Sequence, residues 1–162
     1  MGLTISTEGI GELGEMLAKL GAKADEVAGY SLYEGAGVVA DAYKAAINSI
    51  ATEPFKYAPP GRTRLPSPEE KAALMGKSGI ANFNHSGDDV NTIVGVSGSA
   101  GYANVAGKAK AVRLIARAIN SGTSFMKKQP VFRKAATGSA GAAKGAIVAK
   151  AEEMFNEIIG GK

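Results

Sequence analysis

The sequence predicts an α+β fold: a small antiparallel β-sheet with a hairpin core, packed against a long N-terminal helix and C-terminal helices. Three observations carry that expectation. Leu32, Ala36, Val39, Tyr43, Ile47 and Ile50 recur at helical spacing and keep one face apolar over several turns. Residues 79–84 and 90–96 alternate, and the turn-forming run His85-Ser86-Gly87-Asp88-Asp89 between them predicts a β-hairpin. Beyond Pro130 helical character returns and runs to Ile159, with Ile147, Met154, Phe155 and Ile158 apolar and Gly160 as its stop. These elements come in blocks, without βαβ alternation.

Taken in order, Thr7-Glu8 opens a short helical pattern through Ile10, Leu13, Met16, Leu17 and Leu20 that Gly21 is expected to stop. The long helix is expected from about Asp25 to Ala51. Residues 52–66, TEPFKYAPPGRTRLP, form a flexible Pro-rich loop by composition. Ser67-Pro68-Glu69-Glu70 then supplies an N-cap, a proline at the first helical position and a capping-box glutamate, starting a brief helix that ends near Gly76. After the hairpin, the stretch 97–107 reads as a glycine-rich connection. A helix is expected from Ala109 to Asn120, with Val112, Ile115, Ala116 and Ile119 on one side and Arg113 and Arg117 on another. Within the last helix, ATGSAGAAKGA is a stretch where bending or fraying is expected.

At 162 residues the chain is expected to be a single domain, 1–162, with enough length for a real core. It has no cysteine, hence neither disulfides nor thiolate metal sites. MGLTISTEGIGEL lacks the basic and apolar regions of a signal peptide, and no apolar run reaches membrane-span length. The net charge of +4 is unevenly distributed. Residues 1–53 carry eight acids and three bases, whereas residues 54–134 carry four acids and thirteen bases. Such a split suits nucleic acid, and equally a protein that stacks its own copies acidic edge to basic edge.

The residues offer no catalytic set. The run from Gly95 to Gly101 lacks the glycine spacing of a dinucleotide fingerprint, and that from Gly138 to Lys144 lacks the order of a phosphate loop. His85 lies beside Ser86, Asp88 and Asp89, but five residues of one turn do not bring a base onto a nucleophile as separate elements do. The expectation is therefore no enzyme, no cofactor and no metal. DNA is the stronger rival. Arg62, Arg64, Lys108, Lys110, Arg113, Arg117, Lys127, Lys128, Arg133 and Lys134, interleaved with Tyr57, Tyr102, Phe125 and Phe132, are suited to non-specific, salt-dependent binding. No dedicated sequence-reading motif accompanies them.

Ile115-Ala116-Arg117-Ala118-Ile119-Asn120-Ser121-Gly122-Thr123-Ser124, followed by Pro130-Val131-Phe132-Arg133-Lys134-Ala135, resembles the signature of the HK97 gp10-like family of tailed-phage proteins. The helices at the N-terminus, the Pro-rich loop, the PEE helix leading to GIANF, and a V-G-V strand followed by Gly101-Tyr102 extend the resemblance over nearly the whole chain. Asn120 stands where an acid is expected, and Val131 separates Pro130 from Phe132. The resemblance implies a virion protein of the neck, in head–tail joining or tail completion, that assembles as a homo-oligomeric ring between phage connector and tail proteins. Non-specific contact with DNA in the channel is compatible with that place. The loop 52–66 is expected to act as an arm that orders on assembly. Arg62, Arg64, Arg113, Arg117, Lys127, Lys128 and Phe132 are the expected partner contacts, although Phe132, at a helix start of otherwise small residues, reads more readily as core.

Overall fold

The computed structural model describes residues 10–54, 58, 60–82, 84–86, 89–103 and 109–160. The fold is α+β. In chain order it has α1 (Ile10–Asn48), α2 (Pro68–Gly76), β1 (Ser78–Ile80), β2 (Asn84–Ser86), β3 (Asp89–Asn91), β4 (Val94–Val96), β5 (Ser99–Ala103), β6 (Ala109–Ala111), α3 (Val112–Ser121) and α4 (Val131–Gly160).

One helix, α1, occupies the place of the expected two. Gly21 does not stop it, because an isolated glycine costs a helix only about 1 kcal/mol and Ala22, Lys23 and Ala24 are good helix formers. The opening residues Thr7 and Glu8 lie outside the described residues. The other long helix, α4, is continuous through ATGSAGAAKGA, where bending was expected. It packs antiparallel on α1: the Tyr43 and Phe132 rings meet at 5.5 Å near one end, and Gly35 faces Ala143 and Ile147 further along. A Cβ on Gly35 would press into the Ile147 side chain and lie 3.0 Å from the Ala143 carbonyl oxygen. This glycine is what lets the two backbones approach.

Between the long helices the described residues form three two-stranded antiparallel ladders. The predicted hairpin is present as two ladders: β1 pairs with β4 and β2 with β3, and Ser86 pairs with Asp89, so strand pairing reaches into the run 85–89 expected as the turn. Beyond the first ladder the Ala81 N–H donates to the Ile93 carbonyl at 2.8 Å. Phe83, Gly87 and Asp88 of the predicted hairpin lie outside the described residues. The glycine-rich connection expected at 97–107 is instead partly strand. Ser99 pairs with Ala111 and Ala103 with Ala109 in an irregular ladder, so the third helix begins at Val112 and not at Ala109. Residues 104–108 lie outside the described residues.

Ile47, Ile50, Leu74, Ala100, Val112, Ile115, Ile119, Met126 and Phe132 form the core where α1, α2, α3 and the start of α4 converge. Polar groups tie the helix ends together there. Lys71 Nζ donates to the carbonyls of Asn48 and Ile50 at 2.7 and 3.0 Å, satisfying the C-terminus of α1. The Gln129 side chain pairs with both backbone groups of Ala51, at 3.0 and 3.1 Å. Adjacent positions on α3 test this division of faces. Ile115→Ala should lower stability by roughly 2–5 kcal/mol in urea unfolding, whereas Leu114→Ala, whose side chain is outside the core, should change it by less than about 0.5 kcal/mol.

Candidate interaction surface

The densest polar arrangement is centred on Glu70. Its sequence position makes it the third residue of α2, and the predicted capping box forms: the Glu70 N–H donates to Ser67 Oγ at 3.2 Å, and the Ser67 N–H donates to Glu70 Oε2 at 3.0 Å. Arg64 donates through its two terminal guanidinium nitrogens, to Oε2 at 2.6 Å and Oε1 at 2.8 Å, and Lys110 Nζ reaches Oε1 at 2.7 Å. Four donors thus meet one buried carboxylate. Burial pushes its pKa upward, but the Arg64, Lys110 and Ser67 hydrogen bonds outweigh this and hold it at about 2. A carboxylate so depressed and so fully occupied is a poor proton acceptor, and the arrangement serves as a clamp.

Arg64 is 5 % exposed. This corrects its expected role as a partner contact: a bidentate ion pair inside the fold takes up its guanidinium. Its backbone forms a parallel bridge to the 123–127 elbow, the Arg64 N–H donating to Phe125 O at 2.9 Å and the Lys127 N–H to Arg64 O at 2.8 Å. The base of the 52–66 loop is also tied, by Glu53 N–H to Pro66 O at 3.0 Å and Leu65 N–H to Glu53 Oε1 at 2.7 Å. Residues 55–57 and 59 of the proposed arm lie outside the described residues. Phe132, 8 % exposed and packed on Tyr43, is a core residue and not the exposed contact also weighed for it.

The remaining expected contacts are exposed. On α3, Val112, Ile115 and Ile119 point inward, leaving Arg113, Leu114 and Arg117 outside. The helix ends at Gly122, whose φ of 76° suits glycine and whose N–H donates to Ala118 O at 2.9 Å. Thr123 then closes the elbow, its Oγ1 accepting from the Met126 N–H at 3.0 Å. Asn120, at the position where an acid was expected, accepts from the Arg133 N–H at 3.3 Å and caps the first turn of α4. Lys127, Lys128, Arg133 and Lys134 are exposed around this elbow, and Arg62 is exposed on the loop. From Val112 to Lys134 there are six bases and no acid.

A shallow groove of about 240 Å³ runs beside this surface, lined by Tyr43, Val94, Gly95, Val96, Ala116, Arg117, Asn120 and Phe132. It brings together two of the expected contacts, Arg117 and Phe132. Sequence reasoning found Glu70 through its capping box but missed Lys110 as its partner, because the strand carrying that lysine was not foreseen. The exposed Leu114 was also missed, although its place beside Arg113 was a legible signal. The side chains of His85 and Tyr102, and Tyr57 and Lys108 altogether, lie outside the described residues. Among the described residues, no group of three His, Cys, Asp or Glu could hold a metal ion, and no helix is long and apolar enough to cross a membrane.

The clamp has a pH signature. Because the folded carboxyl titrates at about 2 against an ordinary 4.5, its contribution is complete above pH 4.5 and is lost as pH falls toward 2. Acid unfolding should therefore be less steep across that window in Glu70→Gln than in the parent. At neutral pH Glu70→Ala should cost roughly 3–5 kcal/mol in urea unfolding, since it leaves the Arg64 charge buried without its partner. Comparison of the chain with protein-family models, with curated proteins and with solved structures finds no match.

Proposed function

We propose that the chain is a structural virion protein of a tailed phage or prophage, part of the head–tail connector, that acts in neck or tail completion by assembling a ring with copies of itself. The sequence motifs from Ile115 to Ala135 suggest that place. The observation that carries the mechanism is the charge polarity of the folded chain. The core end presents Arg62, Arg113, Arg117, Lys127, Lys128, Arg133 and Lys134, exposed and with no acid between Val112 and Lys134. The far end of the α1–α4 pair is net acidic, because antiparallel packing sets Asp25 and Glu26 alongside Glu152, Glu153 and Glu157, with Lys19, Lys23 and Lys150 interspersed. A molecule with unlike ends suits head-to-tail contacts, which close into a ring when the rotation between neighbours permits.

The same basic surface supports a second reading, non-specific DNA binding, in which exposed Phe125 and the surrounding lysines meet the backbone. The two separate by salt and by genetics. Duplex affinity falling steeply with salt, and abolished in Arg113→Glu/Arg117→Glu, would favour the second.

The deciding experiment is electron microscopy of lysates from the parent phage or prophage with this gene deleted. DNA-filled heads beside separate, finished tails are expected; normal joined particles would overturn the proposal. Restoring the gene with Arg113→Glu and Arg117→Glu together should leave joining at least tenfold less efficient, whereas full assembly would remove the basic surface from the mechanism.

A further inference from the structure

The outer face of α4 is largely small or apolar, with Lys134 and Glu152 the charged residues in line with it, where a surface helix is normally polar throughout. Gly138, Gly141, Gly145, Val148, Phe155 and Ile159 all lie opposite the face that Phe132, Ser139 and Ala143 turn inward, and all six are exposed. With Glu152 they follow a 3-4-3-4-3-4 spacing, the repeat of a helix seam that packs on another helix. Val148, Phe155 and Ile159 remain 47 %, 40 % and 44 % exposed. A Cβ on any of the three glycines would meet nothing within 4 Å, unlike Gly35, so packing within the chain does not require them. The seam is asymmetric in size, with glycines in its first half and large side chains in its second.

Charge follows the same division. Residues 131–151 of α4 carry Arg133, Lys134, Lys144 and Lys150 and no acid; residues 152–160 carry Glu152, Glu153 and Glu157 and no base. We infer that this face pairs with the same face of a second copy, α4 against α4 in antiparallel register, to form a two-fold dimer. A register centred between Ala146 and Ile147 sets Phe155 over Gly138, Val148 over Gly145 and Glu152 over Gly141. It thereby lays each basic half along the acidic half of the other copy. A parallel pairing would stack glycine on glycine and like charge on like charge. The pattern thus commits the face to a second copy in one orientation. The glycines let the helix axes approach closely enough for the larger side chains to fill the furrow.

The full chain, which has no cysteine, permits a direct test with single-cysteine variants. Under mild oxidation Val148→Cys should cross-link to itself. Phe155→Cys should not, since its two copies would lie roughly 25 Å apart along the seam, yet it should cross-link when mixed with Gly138→Cys. In sedimentation velocity the parent should show concentration-dependent dimers, and Gly138→Leu/Gly145→Leu should lose them at least tenfold in affinity while keeping its helical signal and thermal midpoint. Lys144→Glu and Glu152→Lys should each weaken the dimer, and the two together in one chain should restore it. Efficient self-linking of Phe155→Cys, a dimer indifferent to furrow filling, or a chain monomeric up to about 1 mM would overturn the inference, as would cross-linking of Val148→Cys solely to another protein. The dimer engages the same Glu152, Glu153 and Glu157 that the head-to-tail ring would use, so it is a state of the free chain; none of these outcomes depends on head–tail joining, and a failure here is distinct from a failure of the neck assignment.

Discussion

The carboxylate of Glu70 is the point on which the compact end of the molecule depends. It sits in the first turn of a nine-residue helix too short to persist alone, and it draws in three other parts of the chain: the end of the Pro-rich loop through Arg64, the strand before α3 through Lys110, and the cap at Ser67. Through the Arg64 backbone the same residue group fixes the elbow that turns α3 into α4. A buried ion pair is costly to desolvate, so its value here lies in geometry more than in net stability. It specifies which segments meet, in a region where many side chains are small and hydrophobic packing alone is weakly specifying.

Beyond that region the molecule is two long helices, and there the constraint is steric. Ala36, Ala40, Ala143 and Ser139 are buried between or beside them, and Gly35 admits the opposing backbone. Small residues give close approach at the expense of apolar area per contact. Ser31 fits the same pattern: its hydroxyl is buried without a hydrogen-bond partner, which a seam built for small volume tolerates at a modest cost.

Features encoded by local chemistry were legible in the sequence. The capping box at Ser67 and Glu70, the glycine stop at Gly122, the restart after Pro130 and the apolar stripe on α1 all follow from residues a few positions apart. The misses arise where distant contacts decide. Gly21 reads as a stop and ATGSAGAAKGA as a place to bend or fray, because a glycine's local cost is visible in the sequence, whereas the long-helix packing that offsets that cost is not. β5 and β6 escaped detection because Ser99–Ala103 and Ala109–Ala111 lack alternation and become strands only by pairing with each other. Arg64 looked like a surface charge because nothing in TRLP announces that Glu70 and the elbow enclose it. The charge segregation was visible as a tally along the chain, but its arrangement into two unlike ends required the antiparallel return of α4.

That return also sets the order in which the chain can fold. The two long helices are each other's main partner, yet residues 49–130 separate them. Closing so large a loop is entropically costly before any contact rewards it, so the compact α2–α3 region, with its shorter connections, is the natural nucleus. During synthesis, α1 leaves the ribosome first and must wait for nearly the whole remaining chain before its inward face is covered. Over that interval the part of α1 that α4 covers is unshielded, and a chain shortened early in α4, before Ala143 and Ile147, would leave much of it so permanently.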